Sequence, residues 1–234
     1  MKETLSTDQL NAIRQLSTCM VANAIETFDL RLRDEGYALS TIHSVFPTLP
    51  AMIGYAATVR IRCTGVLARP HLHPDDTNWW NWWNYVQTIP GPRVVVVQDS
   101  DEKPGTGAFI GETQTNILKA LGCVGAVTNG AVRDLPALSA MGFPVFAGSV
   151  AVSHAYVHIL EFGKPVQVGD LTIRPGDLIH GDCHGVLSIP KGIAADIPAV
   201  AEKFRQRAEK IAAVCRGSNF SLEKLREAVV WKES

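Results

Sequence analysis

Two dipeptides separated by twenty residues hold the residue types best suited to chemistry in this chain: Gly111-Glu112 and Arg133-Asp134, the two ends of GETQTNILKALGCVGAVTNGAVRD. The first stands where a helix should begin. The backbone N–H groups of Glu112, Thr113 and Gln114 would then lack intrahelical acceptors and lie at the positive end of the helix dipole, an anion site that needs no basic side chain. Arg133 adds a planar fork able to grip a carboxylate or carbonyl oxygen in two places. Asp134 supplies the hard oxygen that Mg²⁺ requires, and one carboxylate with several waters is that ion's usual arrangement. The combination suits a small anionic substrate held beside a divalent cation.

Each residue also has a plainer explanation. Asp134 precedes Leu135-Pro136 and could cap its own helix. Arg133 could be solvated or ion-paired, and Glu112 could be a first-turn acid that favours the helix dipole. Asn129-Gly130 is a turn on either account. A ligand role for Asp134 survives capping only if its second oxygen stays free.

Other motifs rank lower. GTGAFIG (105–111) has the spacing GxGxxxG, and Asn129 stands where a dinucleotide site needs an acid. His154 and His158 lie four apart, but Ala155 takes the place of a zinc protease's glutamate, so packing is expected. His180, Asp182 and His184 alternate and would share one face of a strand; they could hold a metal, though a polar hairpin face is the commoner outcome. HLHPDD (71–76) reads as a solvated loop. Trp79, Trp82 and Trp83 read as core or subunit interface, though one could wall a substrate pocket.

The elements that must position these residues can be read from periodicity. RVVVVQD (93–99) and CVGAVT (123–128) are buried strands, and FPVFAGS (143–149) is a third. Between them lie short helices at 113–121 and 135–141, stopped by Gly122 and Gly142. Strand–helix alternation at this spacing implies a largely parallel sheet, and ligands in such sheets lie beyond the carboxyl ends of the strands, where both dipeptides fall. IGYAATVRIRC (53–63) reads as an alternating strand. DTNWWNWWNYVQTI (76–89) reads as a helix with Trp79, Trp82, Trp83 and Val86 on one face. Residues 166–189 break into short strands punctuated by Gly, Pro and Asp, hence antiparallel hairpins. One helix is expected over 6–30, capped by Ser6 or Thr7, with two more over 191–216 and 221–231. The fold class is α/β, with mixed βαβ and antiparallel β layers and helices at both ends, in a single domain over 1–234.

Bulk composition excludes more than it selects. Lys and Arg number 22 against 23 Asp and Glu, with no long basic run, so neither nucleic acid nor a membrane surface is an expected partner. No apolar run is long enough to span a bilayer and no signal core is seen at the start. The five scattered cysteines suggest neither a disulfide framework nor a metal knuckle. A reduced, cytoplasmic protein is expected.

The order of motifs resembles one family. Gly-Glu, twenty residues, then Arg-Asp looks like its signature. IGYAATVRI resembles its G-x-A-x-T-V strand, RVVVVQD its V-x-V-x-D strand, and RPGDLIHGDCHGVLSIP its PGD…D-x-x-G-V-x-x-P hairpin. The family joins divalent-metal 4-hydroxy-4-methyl-2-oxoglutarate aldolases to the regulators of ribonuclease activity A. The resemblance implies a fold like the swivelling phosphohistidine domain, assembled as homotrimers or homohexamers with sites between subunits. It implies a pyruvyl group on the loop from Gly111 to Gln114, a substrate contact from Arg133, and Mg²⁺ or Mn²⁺ on Asp134. The implied activity is a carbon–carbon lyase that cleaves a 4-hydroxy-2-oxo acid to pyruvate through an enolate, with oxaloacetate decarboxylation as a related reaction and Glu112 positioning a water. No Schiff-base lysine is needed, and Lys119 is poorly placed for one. The alternatives are a non-catalytic, protein-binding regulator of a ribonuclease, or a hydratase of sugar-acid breakdown. The chain departs from the pattern at Asn23, at Cys183-His184 and in its tryptophan-rich helix. For a carboxylate donated by a neighbouring subunit, Glu202 and Glu209 are the candidates.

Overall fold

Valine, isoleucine and alanine runs with few breaks make the central strands of the computed structural model, which describes residues 4–39, 41–65 and 77–230. The main sheet runs His43–Ser44, Val145–Ala147, Cys123–Thr128, Arg93–Asp99, Met52–Arg62, Leu178–Asp182, Gly185–Ile189. Its inner four strands, from Val145–Ala147 to Met52–Arg62, pair in parallel, and the outer pairings are antiparallel. The far edge of Met52–Arg62 is shared: Leu178–Asp182 takes the Met52–Tyr55 half, and His158–Phe162 takes Val59–Arg62.

The long strand alternates in a different sense from the one expected. Both of its faces are buried, because each meets a separate core. Ile53, Tyr55, Ala57 and Val59 join the helices, while Met52 and Ala56 join a smaller cluster closed by Val166, Val168, Leu171 and Ile173. Valines 94–97 divide the same way, 95 and 97 to one side, 94 and 96 to the other. A parallel strand covered on both faces reads as an unbroken apolar run, as this one does.

A feature not legible in the sequence is a second, three-stranded parallel sheet of Ala108–Ile110, Ala131–Val132 and Ser149–Val150. Each of its strands follows one strand of the main sheet after a turn. The order of the small sheet therefore repeats that of Arg93–Asp99, Cys123–Thr128 and Val145–Ala147.

The N-terminal helix expected over 6–30 is two helices, Thr7–Arg14 and Thr18–Glu26. Ser6 caps the first in a capping box with Gln9. Ser17 caps the second by accepting the Met20 N–H, so the break falls where a serine offers the backbone an alternative partner. The tryptophan helix spans Thr77–Thr88 and buries Trp79, Trp82 and Val86, with Trp83 half-buried and Trp79 stacked on Phe109. HLHPDD lies outside the described residues.

At the other end, Ile197–Arg216 starts later than expected and buries only Ile197 and Ala201, while Leu222–Val229 buries nothing. Phe220, Leu222, Val229 and Val230 stand exposed on this helical pair. Among the described residues, no helix is long and apolar enough to cross a membrane.

Candidate functional site

The small sheet brings the two dipeptides together. Ile110 and Val132 are register partners, and the Arg133 N–H donates to the Ile110 carbonyl at 3.0 Å. The next residues along the two strands are therefore Gly111-Glu112 and Arg133-Asp134, side by side. The Glu112–Ala120 helix begins there, with Gly111 as its cap residue and no capping side chain of its own. Asp134 supplies what is missing: its Oδ2 accepts the Glu112 N–H at 2.9 Å.

Asp134 therefore does cap a helix, but not the one that follows it. It occupies the cap position of Leu135–Ala140 without a side-chain bond to that helix, in a left-handed backbone conformation (φ 58°, ψ 40°). Aspartate is one of the few residues that adopt this region with modest strain, and the conformation turns the carboxylate toward the neighbouring strand. Oδ1 accepts no hydrogen bond among the described residues, and the side chain is 36% exposed. The Arg133 Nε lies 3.6 Å from Oδ2, with the guanidinium 32% exposed.

Gly111 is required by space. A Cβ on it would stand 2.8 Å from Asp134 Oδ2 and 3.1 Å from both Cγ and Nε of Arg133. Its backbone is extended, so conformational freedom is not the reason.

One part of the expected anion cradle is already filled, because the Glu112 amide is taken by Asp134. Thr113 and Gln114 follow in the first turn of the same helix, where backbone N–H groups lack intrahelical acceptors. The Gln114 side chain is 4% exposed, and both of its amide atoms are buried without partners, as is the Thr115 hydroxyl. The Glu112 carboxylate is exposed and makes no hydrogen bond among the described residues.

The strand ends are locked by Asn129, read from the sequence as part of a turn and as a misfit for a dinucleotide site. Asn129 accepts the Asp99 N–H at 2.7 Å and donates to the Asp99 carbonyl at 2.9 Å, tying the carboxyl ends of two adjacent strands. The Asn-Gly pair at a strand end was the only hint of this in the sequence. Two cavities lie elsewhere. One of about 500 Å³, lined by Leu10, Met52, Cys123 and Phe143, is at the amino ends of the strands. The other, of about 440 Å³, touches Gln98, Asn129 and Gln167 but neither Arg133 nor Asp134.

The histidine expectation needs correcting. His180, Asp182 and His184 do not form one group. His180 is fully buried, with its Nδ1 3.1 Å from the Thr18 hydroxyl, and burial pulls its pKa down to about 4. The residues that cluster are Asp182, Cys183 and His184, because the strand ends at Asp182 and a two-residue turn brings the next two side chains together. Glu202 and Glu209 lie on an exposed helix face, both paired with Arg205.

Asp134 fits a divalent cation in the limited sense open to one carboxylate. It is an exposed hard-oxygen donor with one oxygen unspent, leaving most of the coordination to water and substrate.

A sheet of this topology, with an arginine, an aspartate and a helix start sharing one strand-end edge, defines a mixed α/β protein with one candidate site at that edge. The family model RraA-like: Aldolase/RraA matches residues 18–188, and the chain belongs to that family. It is 36% identical over 118 residues to a protein of Halalkalibacterium halodurans provisionally named a 4-hydroxy-4-methyl-2-oxoglutarate aldolase, a match covering 50% of this chain and 55% of that one. Against the curated relatives it matches, the chain covers from 25% to 55% of their length. Among solved structures, an uncharacterized protein of Pseudomonas syringae superposes with a TM-score of 0.74 at 22% identity, over 97% of this chain and 96% of that one. Streptomyces coelicolor RraAS2, described as an unusual member of the RNase ES inhibitor RraA protein family, gives 0.68 at 22% identity, over 89% and 98%. These two likenesses establish the fold.

Proposed function

We propose that the protein is a divalent-metal-dependent carbon–carbon lyase that releases pyruvate from a 4-hydroxy-2-oxo acid, with oxaloacetate decarboxylation as a second outlet of the same site. The observation that supports this most directly is the shared edge: a helix start with two amides to spare, a guanidinium, and a carboxylate with one uncommitted oxygen. Catalysis is assigned to Arg133, Asp134 and Glu112, and substrate binding to Gly111, Glu112, Thr113, Gln114 and Arg133.

The substrate carboxylate sits on the Thr113 and Gln114 amides, where the helix dipole favours an anion. Arg133 directs its fork at the oxygen that gains charge as the carbon–carbon bond breaks, and such preorganised donors are typically worth about 2.7–4 kcal/mol. Asp134 Oδ1 would hold Mg²⁺ or Mn²⁺, and the ion, when bound, supplies a Lewis acid for the 2-oxo acid. Glu112 orders a water that takes the proton of the 4-hydroxyl as the C3–C4 bond breaks and returns a proton to C3 of the enolate, giving pyruvate.

We assign the assembly as a homotrimer or homohexamer. The nearly unburied helical pair at 197–229 needs an apolar partner surface, and another copy of the chain would provide one. Glu202 and Glu209 are carried on that pair.

The test is pyruvate formation from a panel of 4-hydroxy-2-oxo acids and oxaloacetate, with and without Mg²⁺. Turnover that appears with the ion and vanishes with chelator is expected; turnover that survives exhaustive chelation sinks the mechanism. The openness of the locus in a single chain also suits a protein-binding regulator. For that reading, retention on an immobilised ribonuclease, with no pyruvate from any substrate, is the deciding result.

A further inference from the structure

Among the described residues, two groups beyond the Arg133–Asp134 edge bring three metal-ligating side chains within 4.8 Å of one another. The first, Cys63, Asp99 and Asp101, is sealed and already satisfied. Asp101 accepts from the backbone of Cys63 and Thr64 and from the Thr64 hydroxyl, and Asp99 accepts from the amides of Asp101 and Gly105. Burial, helped by the Asp99 and Asp101 charges, pushes the Cys63 thiol up to about 12. The second group, Asp182, Cys183 and His184, faces solvent.

This second group is held in place before any ligand arrives. Asp182 closes the strand pair against Gly185, and Gly185 takes up the tight turn at φ 129°, a conformation that side chains rarely adopt. The Asp182 carboxylate is fixed from two sides, Oδ2 by the Thr18 N–H at 2.9 Å and Oδ1 by the His184 N–H at 2.8 Å. Cys183 Sγ lies 3.4 Å from His184 Nδ1, which lies 3.0 Å from Asp182 Oδ1.

Those separations approach what a tetrahedral zinc ion imposes. Bond lengths of about 2.3 Å to sulfur and about 2.0–2.1 Å to nitrogen place the two ligand atoms about 3.5 Å apart, and nitrogen and oxygen about 3.3 Å apart. We propose that Asp182 Oδ1, Cys183 Sγ and His184 Nδ1 form a surface site for a borderline-soft divalent cation of the Zn²⁺ kind, with a fourth position open to water. The thiolate separates this site chemically from Asp134, since Mg²⁺ takes oxygen ligands and discriminates against sulfur. Binding removes the Cys183 proton and leaves His184 neutral, with its remaining proton on Nε2. Through Asp182 and the Thr18 amide, the ion would also tie the hairpin to the start of the Thr18–Glu26 helix.

The experiment titrates the reduced, chelator-stripped full-length protein with Co²⁺. A thiolate-to-cobalt charge-transfer band is expected to saturate at one ion per chain, to be displaced by Zn²⁺, and to resist excess Mg²⁺. Cys183→Ser abolishes the band, and His184→Ala weakens Co²⁺ binding at least tenfold. Both side chains are exposed, so both variants should melt like the parent. Cys215→Ser and Asp134→Ala keep the band. A band that persists in Cys183→Ser, or none at saturating Co²⁺ in the parent, overturns the proposal. The second outcome would mean that the 3.0 Å contact is only an Nδ1–H hydrogen bond to Asp182.

Discussion

Asp134 Oδ2 accepts the backbone N–H of Glu112 at 2.9 Å, so the carboxylate proposed to hold the cation is also the cap of the helix proposed to hold the substrate. The two jobs use different oxygens and can be separated by substitution. Asp134→Asn keeps an acceptor for the Glu112 N–H but removes the charge. It should hold stability within about 0.5 kcal/mol of the parent, whereas Asp134→Ala should lose about 1 kcal/mol, as cap deletions do. Both should lose Mg²⁺-dependent pyruvate release. Urea denaturation set beside the activity assay checks the pair, and an active Asn variant would detach the charge from the chemistry.

Gly111 is predicted to be intolerant of one methyl group. The added Cβ would press on Asp134 Oδ2 and on Arg133, both flexible side chains, so the fold survives and the site moves. Gly111→Ala should therefore retain its melting temperature within a few degrees while kcat/KM falls at least tenfold. A displacement of about 1 Å at a reacting centre commonly costs about a hundredfold. Unchanged kinetics would place the substrate elsewhere.

The elements themselves were largely legible. Arg93–Asp99 and Cys123–Thr128 have the bounds their valine runs suggested, because strands buried on both faces contain no polar interruption. The proximity of the two dipeptides also followed from strand ends in a parallel sheet. What could not be read was the small second sheet. Its strands of two and three residues lie below any periodicity, and their pairing depends on contacts between distant segments. Asp134's allegiance was hidden for the same reason: a cap donated across strands leaves no local signature. The break at Ser17 was visible only as another serine, and its second anchor, Asp182, accepts the Thr18 N–H from 164 residues away.

Arg133 should behave as a fork and not merely as a charge. Its Nε lies 3.6 Å from Asp134 Oδ2 and would stand 3.1 Å from a Cβ on Gly111. Arg133→Lys keeps the positive charge but loses the planar pair of donors, and Arg133→Ala loses both. If the fork stabilises the developing enolate, Ala should drop kcat about 10²–10³-fold, and Lys should recover only a small part of that. Steady-state kinetics at saturating Mg²⁺ distinguishes this from simple binding, which would raise KM and spare kcat.

His180 sets an acid limit on stability that is independent of the site. Burial is the main cause of its fall from 6.5 to about 4; the nearby Asp182 charge and the carbonyls of Ile13 and Leu16 oppose the shift without reversing it. A group with a depressed folded pKa gives stability that is present above its unfolded value and lost as pH falls toward the folded one. The window is therefore about pH 6.5 down to 4, and the full loss is about 3 kcal/mol. Asp182, lowered in the folded state by hydrogen bonds from His184 and Thr18 that outweigh its burial, adds a loss of the same sign further into acid. His180→Asn should start less stable near neutrality, because the ring volume is gone, yet show a much flatter decline across that window. Urea midpoints at about pH 7 and about pH 4.5 for both proteins test this, and parallel declines would show that the proton is taken up by another group.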